Sequence, residues 1–260
     1  MSRSGYYAWS SRPTSDRALA DQRLVTRIDE IFQASGGTYG SPRIHAVLAR
    51  QGVRVGRKRV VRLMRQQGMK ARAARLYRRT PGIGRFFGAI PNRVLELETT
   101  STDQVWVGDI TYLRSAGRWR YMAVVMDRHS RRIVGWKLGP RRDVALTRAA
   151  LDQAAARRHV QPGLIFHSDR GVEYSGYVYR DRLQSLGITQ SMKRPRELGD
   201  NAYIESFFGS LKADVVHGRL FDTDVALLAT ISSYTRRYNR SRVHSSLGYR
   251  SPIDYERSTA

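Results

Sequence analysis

The chain has 260 residues, room for one large domain or two modest ones, and its 41% hydrophobic and 10% aromatic content supports a real core and excludes a disordered chain. A net charge of +24 draws such a surface to phosphate polymers by counterion release. Zero cysteines exclude disulfides, cysteine-ligated zinc and iron–sulfur sites and suit a reducing cytoplasm. The opening "MSRSGYYAWSSRPTSDR" lacks the apolar segment of a secretory signal, and no apolar run of about 18 residues is present to span a membrane. The expectation is a soluble, cytoplasmic, nucleoid-associated protein with nucleic acid as partner and no membrane contact.

Charge is uneven along the chain. Residues 1–98 hold 20 Lys+Arg and 6 Asp+Glu, an excess of +14, which reads as a basic front module before a more balanced rear domain. In "DQRLVTRIDEIFQASGG", Leu24, Ile28, Ile31 and Phe32 form one helical face stopped by two glycines. "SPRIHAVLARQG" follows, with Ser41 as N-cap, Pro42 at the first helical position and Gly52 at the end. "GRKRVVRLMRQQG" then turns Val60, Leu63 and Met64 inward and Arg57, Lys58, Arg59, Arg62 and Arg65 outward. Two short helices, the second carrying the arginines, read as a helix-turn-helix, and those five cations become candidate DNA contacts. The plainer alternative is a helical hairpin with a solvated basic face. From Lys70 to Arg93 come seven basic residues and no acid among Gly and Pro, which reads as a linker.

Strands begin the rear domain. "VWVGDITYL" alternates, setting Val105, Val107, Asp109, Thr111 and Leu113 on one face. "RWRYMAVVMDR" is nearly continuous apolar, as a central strand is, and "RRIVGWKLG" makes a third. The alanine-rich helix "VALTRAALDQAAARR", the strand "LIFHSD", the helix "SGYVYRDRLQSLG" and the short strand "ITQSM" follow. Two helices, "DNAYIESFFGSLKADVV" and "DVALLATISSYTRRYNRS", come last. The order β-β-β-α-β-α-β-α-α is that of an α/β, ribonuclease-H-like fold.

Three acids stand out against this basic background. Asp109 sits mid-strand on an apolar face, Asp169 ends a buried strand, and Glu205 lies beside the apolar stripe Ile204, Phe207, Phe208 and Leu211, with Asp200 or Asn201 as helix cap. A buried carboxylate needs a cation. Three of them converging from separate elements would make an oxygen-ligand site for Mg²⁺, with Mn²⁺ as substitute, and two ions would clamp an in-line displacement at phosphorus. Taken singly, each acid has an ordinary reading as partner of a nearby arginine or as a surface helix pair.

Taken together, "VWVGDITYL", "IFHSDRGVEY" and "GDNAYIESFFGSLK" closely resemble the three signature blocks of DDE transposases with a retroviral-integrase-like core, and 35 residues separate Asp169 from Glu205 as in that family. "SRSGYYAW", "YGSPRI", "DRHSRRIVGW" and "YNRSRVHSSLGYRSPIDY" extend the likeness, over nearly the whole chain, to the OrfB proteins of the insertion-sequence family numbered three. The resemblance implies a helix-turn-helix module over 1–69, a basic linker over 70–98 and an integrase core with C-terminal helices over 99–260. It implies that Asp109, Asp169 and Glu205 bind two metal ions, and that an activated water frees a 3′-OH which attacks another phosphodiester, with no covalent protein–DNA intermediate. Asn201 and Lys212, four and seven residues from Glu205, are expected on its exposed side and near phosphate. Gly209 would let a backbone approach closely. His167, with Ser168 at the strand end, and His244 read as structural. The chain departs from the family at Glu173, where Gln is usual, and in "KRPRELG", which lacks the glycine expected there. The remaining expectations are an upstream OrfA segment supplied by frameshifting, since residues 1–98 show no leucine heptads, and a homo-oligomer on DNA. Same-fold nucleases that cut without joining, and DNA-binding repressors, are the rival readings.

Overall fold

The computed structural model describes residues 3, 4, 7, 15–71, 90–194, 201–216 and 219–259, in two compact units, Met1–Ala73 and Ala74–Ala260. The first unit holds α1 (Asp16–Ala34), α2 (Ser41–Arg50) and α3 (Arg57–Gln66). The Ser15 side chain accepts from the Ala18 amide to start α1, which buries Leu24, Ile28 and Ile31 one turn apart. Buried Ile44 and Leu48 of α2 and Val60, Leu63 and Met64 of α3 complete this small core, on the helical faces expected from the spacing. The N-cap of α2 is Gly40 rather than Ser41, so Pro42 falls one place further in; a proline is tolerated anywhere in the first turn, where amides lack helical partners.

The second unit is a five-stranded sheet in the order β3-β2-β1-β4-β5. Its strands are β1 (Val105–Ser115), β2 (Arg118–Asp127), β3 (Ile133–Gly139), β4 (Ile165–Ser168) and β5 (Thr189–Met192). The first three form an antiparallel meander, and β4 and β5 add in parallel beside β1. Its helices are α4 (Val144–Arg157), α5 (Val172–Ser175), α6 (Tyr177–Ser185), α7 (Ala202–Leu211), α8 (Asp224–Arg240) and α9 (Pro252–Thr259). One face of the sheet buries Trp106, Val125 and Phe166 against Leu151 of α4 and Tyr179 of α6. The other buries Val105, Val107 and Val124 against Phe207 of α7 and Ile231 of α8. The two faces draw on alternate residues of β1, as the pleat requires.

Three details differ from the sequence reading. Of the expected linker over 70–98, residues 72–89 lie outside the described residues, whereas residues 90–97 pack on the second unit. Val94 is buried, the Met192 amide donates to Pro91 O at 3.2 Å, and Arg93 N donates to Ser191 Oγ at 2.9 Å. Apolar Ile90, Val94 and Leu97 hold that segment, a signal submerged in the surrounding basic charge. After Leu211, α7 widens into a π-turn, Lys212–Val216. The terminal helix α9 was not expected; its start was legible in "SPID", where Ser251 Oγ accepts from the Asp254 amide at 3.2 Å behind a helix-initiating proline.

The block "DRHSRRIVGW" is explained by packing. Ser130 N and Oγ donate to the buried Asp127 at 2.7 and 2.8 Å, closing the β2–β3 turn. Glu256 of α9 lies 2.8 Å from the same Ser130 Oγ, whose one proton the two carboxylates share, and pairs with Arg132 and Arg158. Gly135 lets β3 lie directly on α4, since a Cβ there would stand 2.2 Å from Ala150 O and 2.9 Å from Ala154 N. Those are backbone atoms and cannot move aside. Gly135→Ala should therefore lose about 1–3 kcal/mol in urea unfolding; an unchanged midpoint would mean that the sheet and helix separate freely there.

Candidate active site

Strand register decides which acids meet. On the parallel pair β1–β4, Gly108 lies opposite Ser168. Asp109 and Asp169, each one residue further on, therefore leave neighbouring strands side by side, about 4.8 Å apart in strand spacing. The start of α7 is tied to the same place, because Asn201 Nδ2 donates to Gly108 O at 3.4 Å. Glu205 follows one turn later.

Asp109 feels the charge of the other two carboxylates. Asp109 is half-buried and accepts from the Ile110 amide at 2.7 Å. Burial first, then the charge of Asp169 with a smaller push from Glu205, hold its carboxyl up at about 8; the Ile110 amide and Arg142 oppose this. Asp169 is also raised, chiefly by burial, against the Gly171 amide at 3.0 Å and the charge of Arg142. Glu205 is more exposed and turns to Lys193, whose Nζ lies 3.9 Å away. Among the described residues no three His, Asp or Glu side chains stand close enough together to hold a metal. The other two acids act on Asp109 through their charge, while the three side chains do not stand at ligation distance. Its donor set, three carboxylates beside one another, is the hard-oxygen kind that suits Mg²⁺.

Beside them sits a pair that the sequence reading missed. Glu173 is 5% exposed and is met by Arg142, whose Nε makes a short ion pair with it and whose Nη2 reaches Asp169 Oδ2 at 3.9 Å. Glutamate in place of the usual Gln is accommodated because Arg142, on a loop far away in sequence, supplies the charge that a buried carboxylate needs. Gly171 fits between them; a Cβ there would stand 2.4 Å from Glu173 Oε2.

The other expected site residues scatter. Asn201 is buried at 2% exposure and bonded to β1, so it does not face DNA. As the helix N-cap, with φ −131° and ψ 29°, it stands outside the helical periodicity that would have aligned it with Glu205. Lys212 opens the π-turn and places its Nζ 4.2 Å from the Tyr112 ring centroid. His167 is fully buried with Nδ1 2.9 Å from Ser191 Oγ, a structural role as expected, and Ser168 ends β4 as expected. His244 packs edge-on to Tyr238. Most of the loop "KRPRELG" lies outside the described residues. On α3, Arg57, Lys58 and Arg65 are exposed. Arg59 and Arg62 instead turn back to Asp21 of α1 at 2.7 and 2.6 Å, one carboxylate oxygen to each guanidinium.

Family models named Integrase core domain match residues 99–197 and 186–252, and one named HTH-like domain matches 19–77. The transposase for insertion sequence element IS904 of Lactococcus lactis is 34% identical over 249 residues, covering 95% of this chain and 98% of that one. Transposase InsF for insertion sequence IS3A of Escherichia coli K12 is 36% identical over 262 residues, covering 98% and 90%. This chain belongs to the IS3 family of insertion-sequence transposases. The transposase is accordingly a DNA-binding polynucleotidyl transferase that cleaves DNA and transfers strands, built on a ribonuclease-H-like integrase core with a helix-turn-helix-like front module. The Insertion element IS600 uncharacterized 31 kDa protein of Shigella sonnei is also 36% identical, over 257 residues, covering 98% and 94%. Among solved structures, the HTLV-2 integrase catalytic core domain in complex with magnesium aligns over 61% of the transposase and 99% of that chain, at 15% identity and TM-score 0.48. No helix among the described residues of the transposase is long and apolar enough to cross a membrane.

Proposed function

We propose that Asp109, Asp169 and Glu205 are the catalytic carboxylates of this transposase and that together they hold a pair of Mg²⁺ ions. The observation that carries the reading is the register Gly108–Ser168, which brings Asp109 and Asp169 out of neighbouring strands side by side, with the charge of Asp169 helping to raise Asp109. When bound, the metal pair would lower the pKa of a water and neutralise charge developing on the attacking and leaving oxygens. The chain's own residues do the rest. The Gly171 amide fixes the rotamer of Asp169, and the Asn201–Gly108 bond sets where α7 crosses β1. Lys193, beside Glu205, offers a cation to the phosphodiester near the carboxylates. No side-chain nucleophile is required, since water and then a 3′-OH attack phosphorus. The test is cleavage and joining of DNA carrying the element's own ends in Mg²⁺; cutting without joining would leave a nuclease.

The exposed row Arg57, Lys58 and Arg65 of α3 is proposed to track DNA, while Arg59 and Arg62 are held in place by Asp21. Reversing the charge of Arg57, Lys58 or Arg65 should flatten the dependence of log K on log salt by about one unit or more each. Arg59→Ala and Arg62→Ala should change the slope less than the exposed three. Equal slopes across all five variants would contradict the assignment. Pairing two DNA ends calls for a homo-oligomer on DNA, in the cytoplasm at the nucleoid, and an upstream OrfA segment is the proposed partner. End pairing compared between the 260-residue chain and an OrfA fusion tests this.

A further inference from the structure

Two elements leave the carboxylates and meet again. Tyr112 follows Asp109 on β1 by three residues, about 10 Å along the strand and on the alternate face of the pleat, where β1 runs on past its last pair with β4 at Gly108. Lys212, the first residue past α7, follows Glu205 by seven, about 10 Å along the helix axis. They converge, with Lys212 Nζ 4.2 Å from the Tyr112 ring centroid. Trp119, across the hairpin on β2, stands edge-on to Tyr112 with ring centroids 5.2 Å apart at 86°. The Arg114 guanidinium lies 5.2 Å from the Trp119 ring. Both aromatics are open to water, Tyr112 at 39% and Trp119 at 49% exposure. The platform is also rigid: its two-residue turn places Ala116 and Gly117 at positive φ, and the Ala116 amide donates to Phe221 O at 2.6 Å.

We propose that Tyr112 and Trp119 form a stacking platform for unpaired bases of the DNA strand whose phosphate lies at the carboxylates, with Arg114 and Lys212 attending the flanking phosphates. This rests on the assignment of Asp109, Asp169 and Glu205 as the active site. Aromatic faces interleaved with cations match a single strand, because every base carries a π-face and every linkage a negative charge. A duplex hides the faces of its bases, so paired DNA cannot use the rings in this way. The separation of about 10 Å corresponds to some three nucleotide steps at the duplex rise of about 3.4 Å per strand. The platform would hold a frayed end open next to the scissile phosphate. A protein surface or a second copy of the chain is disfavoured, since each ring is already flanked by a cation that an apolar partner would have to strip of water.

The experiment uses the full chain and two labelled duplexes of one sequence, one fully paired and one with mismatches in the three base pairs beside the cleavage site, without Mg²⁺. The unaltered protein should prefer the mismatched end. Trp119→Ala and Tyr112→Ala should each lose about 5- to 100-fold in affinity for it and much less for the paired duplex, and Trp119→Phe should keep most of the preference. Thermal melting confirms that the variants fold. Asp169→Ala should keep the preference, whatever its cleavage shows, so failure of the platform and failure of the active-site assignment read out separately. Equal losses on both duplexes, or no loss on either, would overturn the platform. So would a change in oligomeric mass with DNA affinity intact, which would make the rings a protein contact.

Discussion

Asp169→Ala is expected to abolish DNA cleavage while leaving DNA affinity unchanged or higher. The same result is expected for Asp109→Ala and Glu205→Ala. Losing several kcal/mol of charge stabilisation at the transition state corresponds to about 10³-fold in rate, at roughly 1.36 kcal/mol per decade. Affinity moves the other way because phosphate contacts dominate binding, and removing a negative charge near them lessens repulsion. A gel-based cleavage assay beside a binding titration separates the two quantities. An Asp169→Ala protein cutting at a comparable rate would show that the carboxylate pair at Gly108–Ser168 is not the reacting centre.

The same charges bear on stability. Asp109, held near 8 in the folded chain against 3.8 ordinarily, keeps a proton that the unfolded chain has already released. Unfolding then releases a proton, so the metal-free protein should become less stable as pH rises from about 4 to 8. Asp109→Asn should flatten that slope in thermal melts and raise the melting temperature at the upper end. A slope identical to that of the unaltered chain would place the carboxylate in a milder environment.

Alternation in "VWVGDITYL" and the apolar run of "LIFHSD" made the two aspartate-bearing strands legible, and the stripe Ile204, Phe207, Phe208 and Leu211 did so for α7. These signals are local, and the helices and strands of both units follow them. What stayed hidden depends on register and on partners distant in sequence. Nothing near Glu173 announces Arg142, and nothing in α3 announces that Asp21 claims Arg59 and Arg62. Periodicity also fails at element ends. It aligned Asn201 with Glu205, although an N-cap does not share the helix's angular step, and it ran α7 as one helix through Val216, although the chain widens into a π-turn from Lys212. The acids themselves were conspicuous because the surrounding chain is so basic.

The largest stability effect is expected at Asp214, in the π-turn after α7. Its side chain is 3% exposed and that of Arg242, beyond α8, is 6% exposed, with Nη1 of the arginine 2.9 Å from Oδ2 of the acid. Tyr234 Oη donates to the same oxygen at 3.2 Å, and Arg242 Nη2 donates to Ser210 Oγ at 3.0 Å. The cluster fastens the segment "YNRSRVHSS" to the helix that carries Glu205. Taking two charges out of water is costly, so the pair adds little net stability over a well-packed apolar one. Breaking it is another matter. Asp214→Ala leaves a buried guanidinium without its carboxylate and should lower the unfolding free energy by about 3–5 kcal/mol, read from urea midpoints. Arg242→Ala strands the acid instead, but Arg237, 3.8 Å from it, provides partial relief, so the loss should be smaller. The double variant Asp214→Leu with Arg242→Met removes both charges and should recover much of the lost stability. Because Glu205 rides on the helix this cluster anchors, the recovered variant should also regain cleavage. A double variant as unstable as Asp214→Ala alone would mean that the hydrogen bonds to Tyr234 and Ser210, rather than the stranded charge, set the cost.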